Sequence, residues 1–333
     1  MLLPHQKHTH QDVQLAVDAW REGALERVGS NDQPRLSELD GVIEQLAQAT
    51  AQQPHIEQLA QATDRQPQLA HAKDTGIRLM QWNPHWQCFA QSPDCATNAT
   101  QALASLLQEG PQGPLDFVNV VEMEVTPSYQ PPAPYKALGA YQSCGHDWDT
   151  LIYDASLWTL LSNATGCMYD GRSYAIGTFR SVVDPQFTLT AVGAHYPQTL
   201  NASTHAYVDG TAALKAAIKA QAPTSGLVLM ADTNTEGPEA AAAKPDHHGV
   251  NRTSAQLATD LGIWPAGSAK PPPASTLFHA CCYSDGFDWQ GDRIIANFGR
   301  AGASTLLFDP APAWAAFDGS EFHKGVAFTV HRS

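Results

Sequence analysis

Basic residues are scarce in this chain: Lys and Arg total 19 against 33 Asp and Glu, a formal charge of -14 with histidine neutral. A surface of that sign repels phosphate backbones, which excludes avid non-specific coating of nucleic acid but leaves room for a local cationic or metal-filled cleft. Long apolar runs are missing too. Residues 226–231 form the longest comparable run and are far too short to span a bilayer, so stable membrane insertion is not expected. The cysteines form no C-x-x-C units paired with histidines, which makes a structural zinc site a poor fit. The opening residues, MLLPHQKHTH, hold no apolar stretch of the kind a secretory leader carries.

What is present supports a folded domain. Hydrophobic residues make up 43% of 333, enough to bury a sizeable core. Six cysteines occur, an even number, and Cys88 and Cys95 flank a short polar loop that a disulfide would close; free buried thiols are the alternative. Asn98, Asn163, Asn201 and Asn251 each begin an N-x-S/T sequon. Together these features point to a disulfide-bonded glycoprotein, secreted or held in the secretory lumen.

Two regions differ in composition. Residues 1–74 are rich in Gln, Ala and His and repeat IEQLAQAT at 43–50 and 56–63. Leu39, Val42, Ile43 and Leu46 have the spacing of one helical face, so a helical, low-complexity extension is expected there, with a protein partner as one use for it. Residues 75–333 instead show short apolar, β-rich runs at 77–82, 117–121, 150–153, 187–194, 227–231, 293–298 and 326–330. Helical segments fit at 98–108 and 211–222, with Asn98 and Thr211 near their starts. Buried strands with helices between them predict a two-sheet α and β sandwich.

Polar residues sit where these runs end. Asn83 follows the first and Glu122 the second, His195 ends another, and Asp232 and Asn234 follow the run before them. Asp292 precedes the strand at 293–298, and His323 precedes the last. Singly, each has an ordinary explanation as a turn residue, a satisfied histidine or, for Asp292–Arg293, a local ion pair. As an ordered set at the ends of rigid strands, they have the form of an active site. Trp86, Trp148 and Trp289 are near these motifs and are candidates to line a cleft, whereas Trp82 reads as core. His5, His8 and His10, and Asp246 with His247 and His248, read as solvated surface groups.

Six short motifs, QWN, DFVNVVE, GAHYP, MADTN, GDRI and SEFHKGV, stand in the order found in the endonuclease/exonuclease/phosphatase superfamily, which the chain resembles from about Gly76 to its end. The resemblance implies an α+β, four-layer αββα sandwich of DNase I-like type, preceded by the helical extension. It implies that Glu122 binds Mg²⁺, or Mn²⁺ or Ca²⁺, with Asn83 helping at the metal or phosphate. Asp232 and Asn234 would position water and phosphate, and His195 and His323 would share acid–base work. Asp292 would orient His323, and Asp149 is a further candidate for orienting His195. A hard cation held by oxygens suits phosphate-ester hydrolysis, because it neutralises charge without soft ligands. The implied activity is metal-dependent hydrolysis of a phosphate ester, whether small molecule, lipid head group or nucleic acid. Several positions depart from the family pattern. Val121 replaces the usual Gln, Gly291 the Tyr, Phe322 the Asp before histidine, and Gly325 the Pro; Glu124 is a competitor for the metal role. These departures raise an alternative, a catalytically weakened member used for binding or as a structural subunit.

Overall fold

The computed structural model describes residues 76–124, 129–139, 144, 147–198, 204–222, 224–235, 252–265, 272, 274–317 and 319–332. The expected extension over residues 1–74 lies outside them, as do His5, His8, His10, Asp246, His247 and His248.

The chain forms β1 (Gly76–Trp82), α1 (Trp86–Ala90), α2 (Pro93–Glu109), β2 (Phe117–Val120), β3 (Tyr135–Gly139), β4 (Thr150–Asp154), β5 (Trp158–Tyr169), β6 (Arg172–Ser181) and β7 (Thr188–His195). It continues with α3 (Thr204–Lys219), β8 (Gly226–Asp232), α4 (Ser254–Asp260), β9 (Ala274–Ser275), β10 (Asp292–Ala296), β11 (Arg300–Leu306) and β12 (Val326–His331). One six-stranded sheet has the order β11-β12-β1-β2-β4-β3, the other β5-β6-β7-β8-β10-β9. β1 pairs in parallel with β2, and β7 with β8; the other pairs are antiparallel.

Three apolar clusters make four layers. Between the sheets, Leu79, Phe117 and Leu151 meet Phe179, Ala191, Met230 and Ile294. On the outer face of the first sheet, Leu103 and Leu107 of α2 pack against Trp82, Val118 and Ile152. On the outer face of the second, Tyr207 and Leu214 of α3 and Leu257 of α4 cover Val192, Leu229 and Ile295. Central strands are covered on both faces, which is why their sequences read as continuous apolar runs. The seven expected strands are all present, with ends shifted by one or two residues.

Five strands were not legible. β5 and β6 are the largest omission, because WTLLSNATGCMY has no apolar run and exposes most of its residues. That strand is held by its ladder with β6, not by burial. Both helices begin earlier than expected. Ser92 caps α2 by accepting a hydrogen bond from the Cys95 N–H, and Pro93 takes the first turn, so Asn98 lies inside the helix. Thr211 likewise lies within α3, which starts at Thr204. Cys88 of α1 and Cys95 of α2 form a disulfide, and Cys144–Cys167 and Cys281–Cys282 are also joined.

At one position the sheets approach too closely for a side chain. A Cβ on Gly193 would stand 1.9 Å from Asn119 Oδ1 and 2.8 Å from Asp149 Oδ1. Asn119 cannot yield easily, because its Nδ2 donates to Gln81 Oε1 (2.8 Å) and to the Met230 carbonyl (3.1 Å). Gly193→Ala is therefore expected to cost about 1–3 kcal/mol by overpacking, read as a lowered denaturant midpoint. A variant as stable as the parent would show that the two sheets are not in this register.

Candidate active site

Strand register gathers the polar residues at one end of both sheets. Trp82 and Val120 are the last paired residues of β1 and β2, so Asn83 and Glu122 emerge side by side. In the facing sheet, His195 and Asp232 end the parallel strands β7 and β8 in register. Asp292 opens antiparallel β10 directly opposite Asp232. His323 arrives from the loop before β12, and its backbone N–H donates to the Asn83 carbonyl (3.1 Å). Asn83, Glu122, Asp232, Asn234 and His323 line one cavity of about 220 Å³. His195 and Asp292 stand immediately behind, both buried.

The side chains interlock. Asn83 Nδ2 donates to Glu122 Oε1 (3.2 Å) and to Asp232 Oδ2 (2.9 Å), while its Oδ1 accepts from the His85 N–H (2.8 Å). The Trp86 N–H donates to Glu122 Oε2 (2.9 Å), and the Asn234 N–H to Asp232 Oδ1 (3.1 Å). Asn234 Nδ2 donates to the Tyr196 carbonyl (2.8 Å). His323 Nδ1 lies 2.6 Å from Asp292 Oδ2. The other oxygen of Asp292 accepts from Gln81 Nε2 (3.1 Å). His85, Glu122 and Asn234 all have positive φ, at 66°, 57° and 44°. A left-handed backbone at three cavity residues is a concentration of strain that only the surrounding bonds sustain.

Electrostatics divide the two histidines. Burial, then Arg172 and His323, push His195 well below the usual histidine range, so it is a neutral base or acceptor. Burial also opposes charge on His323, but the charge and hydrogen bond of Asp292, with Asp232 and Glu122, override it and raise it to about 9. His323 is thus an imidazolium, a proton donor, at neutral pH. Burial works against ionised Glu122, yet His85, Arg172 and the Trp86 N–H hold its pKa below the usual glutamate value. Burial and neighbouring Asp292 raise Asp232.

Several expectations need correction. Asp149 is buried, but neither carboxylate oxygen has a hydrogen-bond partner, so it does not orient His195. Burial raises its pKa well above the carboxylate range, which leaves it neutral. Asn83 turns its amide N–H to the two carboxylates and its oxygen to the His85 N–H, so it positions Glu122 and Asp232. β2 ends at Val120, and Glu124 is not among the residues lining the cavity. Of the tryptophans, Trp289 lines it and Trp82 is core. Buried Arg293 donates to the carbonyls of Thr235, Arg252 and Gln290 and pins the loop after Asp232. Phe322 joins a buried cluster with Trp82, Phe308 and Trp314. Since Asp292 is the acid bound to His323, the lost Asp at position 322 removes nothing from that histidine.

Four site residues escaped the sequence reading. Arg172 opens β6 and places Nη1 3.5 Å from Glu122 Oε1, 2.9 Å from Asp147 Oδ2 and 2.7 Å from His195 Nε2. His85 lies 3.5 Å from Glu122 Oε2 and 3.1 Å from Glu321 Oε2. Gln81 and Asn119 are amides buried inside otherwise apolar strands, an anomaly visible in RLMQW and FVNVV.

The donor chemistry fits a hard divalent cation. Glu122 and Asp232 both meet the one Asn83 amide, and Asp292 stands behind them next to His323. Among the described residues, Glu122, Asp147 and His195 form one group whose ligand atoms lie within 4.8 Å of one another; Asp232, Asp292 and His323 form a second. The carboxylate oxygens of these groups suit Mg²⁺, Mn²⁺ or Ca²⁺.

No family of known proteins matches the chain by sequence, and no curated protein does. Solved structures match by shape. D. rerio TDP2, in complex with a single-strand DNA product, superposes with a TM-score of 0.52 at 14% identity over 77% of this chain and 99% of that one. A Bacteroides thetaiotaomicron mannosyl-6-phosphatase gives 0.53 at 10% identity, over 76% and 98%. An endonuclease/exonuclease/phosphatase from Bacteroides vulgatus gives 0.53 at 12%, over 78% and 100%. Likeness at these identities is one of fold: the chain has the αββα architecture of endonuclease/exonuclease/phosphatase proteins, as the ordered motifs implied.

The Asp292–His323 pair makes a direct prediction. Because the folded pKa of His323 is raised, its protonation stabilises the fold fully below the unfolded value of about 6.5, and that contribution is lost as pH rises through about 9. In Asp292→Asn, the His323 ring protons followed by NMR should titrate about 1–3 units lower than in the parent. An unchanged midpoint would mean that the pair is not ionic.

Proposed function

We propose that the protein hydrolyses a phosphate ester with the help of a divalent cation. The observation that carries this reading is convergence: from six strand ends or their adjoining loops, Asn83, Glu122, Asp232, Asn234 and His323 reach one cavity, with His195 and Asp292 directly behind it. Glu122 would hold the cation, which when bound neutralises charge growing on the phosphate oxygens.

The chain's own groups supply the proton transfers. Water attacks phosphorus as Asp232, whose pKa is raised, takes its proton. The bond from phosphorus to the leaving oxygen breaks, and the His323 imidazolium gives that oxygen its proton. Products are an alcohol and a phosphate, or a phosphate monoester from a diester. Asp292 keeps Nδ1 of His323 occupied, so that Nε2 faces the cavity. Arg172 places a fixed positive charge 3.5 Å from Glu122 Oε1, behind the cavity.

The cavity favours a small ester over a polyanion. Asp285 and Glu321 line it with Gln198, Ser284 and Trp289, and among the described residues no Lys or Arg does. Repeated phosphates outside the reacting one would meet carboxylates there. No helix among the described residues is long and apolar enough to cross a membrane. We also propose an oxidising, secretory-type compartment, supported by the pairing of all six cysteines.

A panel of small phosphate mono- and diesters and single-stranded DNA, assayed with Mg²⁺, Mn²⁺ or Ca²⁺, tests this. Turnover of a small ester that EDTA abolishes is expected, and Asp232→Ala or Glu122→Ala should lose about 10²–10⁴-fold in kcat/KM while keeping the parent's circular dichroism. No turnover of any ester with any of the three cations, or an Asp232→Ala variant as active as the parent, would overturn the reading.

A further inference from the structure

The reaction above leaves two sulfur atoms on the cavity wall without a role. Cys281 and Cys282 are neighbours in sequence, joined by a disulfide, and both line the cavity. The segment is clamped: the Cys281 N–H donates to the Trp289 carbonyl (3.1 Å), and the Trp289 N–H returns a bond to the Cys281 carbonyl (2.8 Å). Cys281 is buried and Cys282 half-buried, so one sulfur is open to a reagent in the cavity.

His323 completes the set. Its Nε2 lies 3.6 Å from Cys282 Sγ, while Nδ1 is held by Asp292 at 2.6 Å. Ligand atoms of Cys281, Cys282 and His323 fall within 4.8 Å of one another. A carboxylate on one ring nitrogen with the other nitrogen directed at the metal position is the arrangement that orients histidine ligands and raises their basicity. Two sulfurs and an imidazole select a soft or borderline cation, whereas the oxygens of Glu122 select a hard one.

We propose that reduction of the Cys281–Cys282 disulfide opens a site for zinc or a similar thiophilic divalent cation, held by the two thiolates and His323 Nε2, and that filling it removes His323 from the phosphoester reaction. The second half rests on the proposed function; the first does not. An external dithiol supplies two electrons and two protons, the sulfur–sulfur bond breaks to two thiols, and the dithiol closes to its own disulfide. Metal binding then releases to solvent the two thiol protons and the Nε2 proton of the His323 imidazolium. Three protein ligands leave the fourth position of a tetrahedral zinc to water. The wall of the cavity would thereby act as a redox-dependent inhibitor site.

Cobalt(II) titration of the full chain tests the metal site without substrate. After dithiol reduction and anaerobic removal of the reagent, the parent should gain one cobalt with thiolate-to-metal charge-transfer absorption. The oxidised parent should show no such absorption, whatever cobalt its carboxylates bind, and neither should reduced Cys281→Ser/Cys282→Ser, which keeps the other four cysteines. Asp292→Asn should weaken cobalt binding by roughly 10–100-fold. The same absorption in the reduced double variant, or none in the reduced parent, would overturn the site. Stoichiometric zinc should inhibit ester hydrolysis by the reduced but not the oxidised parent; equal inhibition of both would overturn the regulatory half. Cobalt binding by a protein that hydrolyses no ester would uphold the site and sink only the reading of the reaction.

Discussion

Everything at the cavity depends on one line of buried polar groups that crosses from sheet to sheet. Asn119 of β2 donates to Gln81 of β1, Gln81 donates to Asp292 of β10, and Asp292 holds His323 before β12. Asn119 also donates to the carbonyl of Met230 in β8. Apolar packing brings the two sheets face to face but is indifferent to small slips; a chain of directional bonds in low dielectric is not. A slip of one residue in β1 or β10 would bury an amide or a carboxylate without its partner, costing about 1–3 kcal/mol for each neutral group and more for the charge. The same bonds that fix sheet register therefore fix the protonation and aim of His323.

That line also explains the gap behind it. Asn119 Oδ1 and both oxygens of Asp149 lack partners, yet Asn119 Oδ1 and Asp149 Oδ1 both crowd the position a side chain at residue 193 would take. Three acceptors in one place are tolerable only if one becomes a donor. Burial raises the pKa of Asp149 well above its usual value and so favours the protonated form, whose O–H can serve as that donor. Gly193 is the opening through which these side chains meet, and for that reason its place in β7 is conformationally ordinary but sterically fixed.

The layers and most of the cavity were legible in the sequence because both follow from burial. A strand covered on both faces is an apolar run, and a polar residue where such a run stops has few places to go except a turn or a site; Asn83, Glu122, His195 and Asp232 were found that way. What escaped was set by pairing or tertiary reach. β5 exposes most of its residues and holds no apolar run, and Arg172, which opens β6, reaches Glu122 and His195 behind the cavity only through tertiary packing. His85 and Glu321 are distant in sequence and meet only because β1 and β12 are neighbours. Gln81 and Asn119 were readable in principle: an amide in the middle of a buried run needs a partner, and two in adjacent registered strands can be each other's. Asp149 misled for the opposite reason, since position before a strand says where a carboxylate is but not what it touches.

Register alone would not aim Glu122. In a continuing strand, residues 120 and 122 would share one face, and Val120 packs into the apolar layer beneath α2. A positive φ at Glu122 ends the alternation and turns the carboxylate out of that layer towards Asn83 and Asp232. His85 and Asn234 make the same kind of turn on either side. Such conformations cost about 1–3 kcal/mol each where no glycine or asparagine eases them. Here the compensation is visible bond by bond. The His85 N–H is held by Asn83, the Trp86 N–H by Glu122, and the Asn234 N–H by Asp232, so the strained turns at His85 and Asn234 expose N–H groups that a site carboxylate or amide captures. The side chains that do the chemistry are thus the ones that hold the backbone in the shape presenting them. Removing a carboxylate should loosen its own loop as well as the reaction, and for this reason the fold of each variant belongs beside its rate.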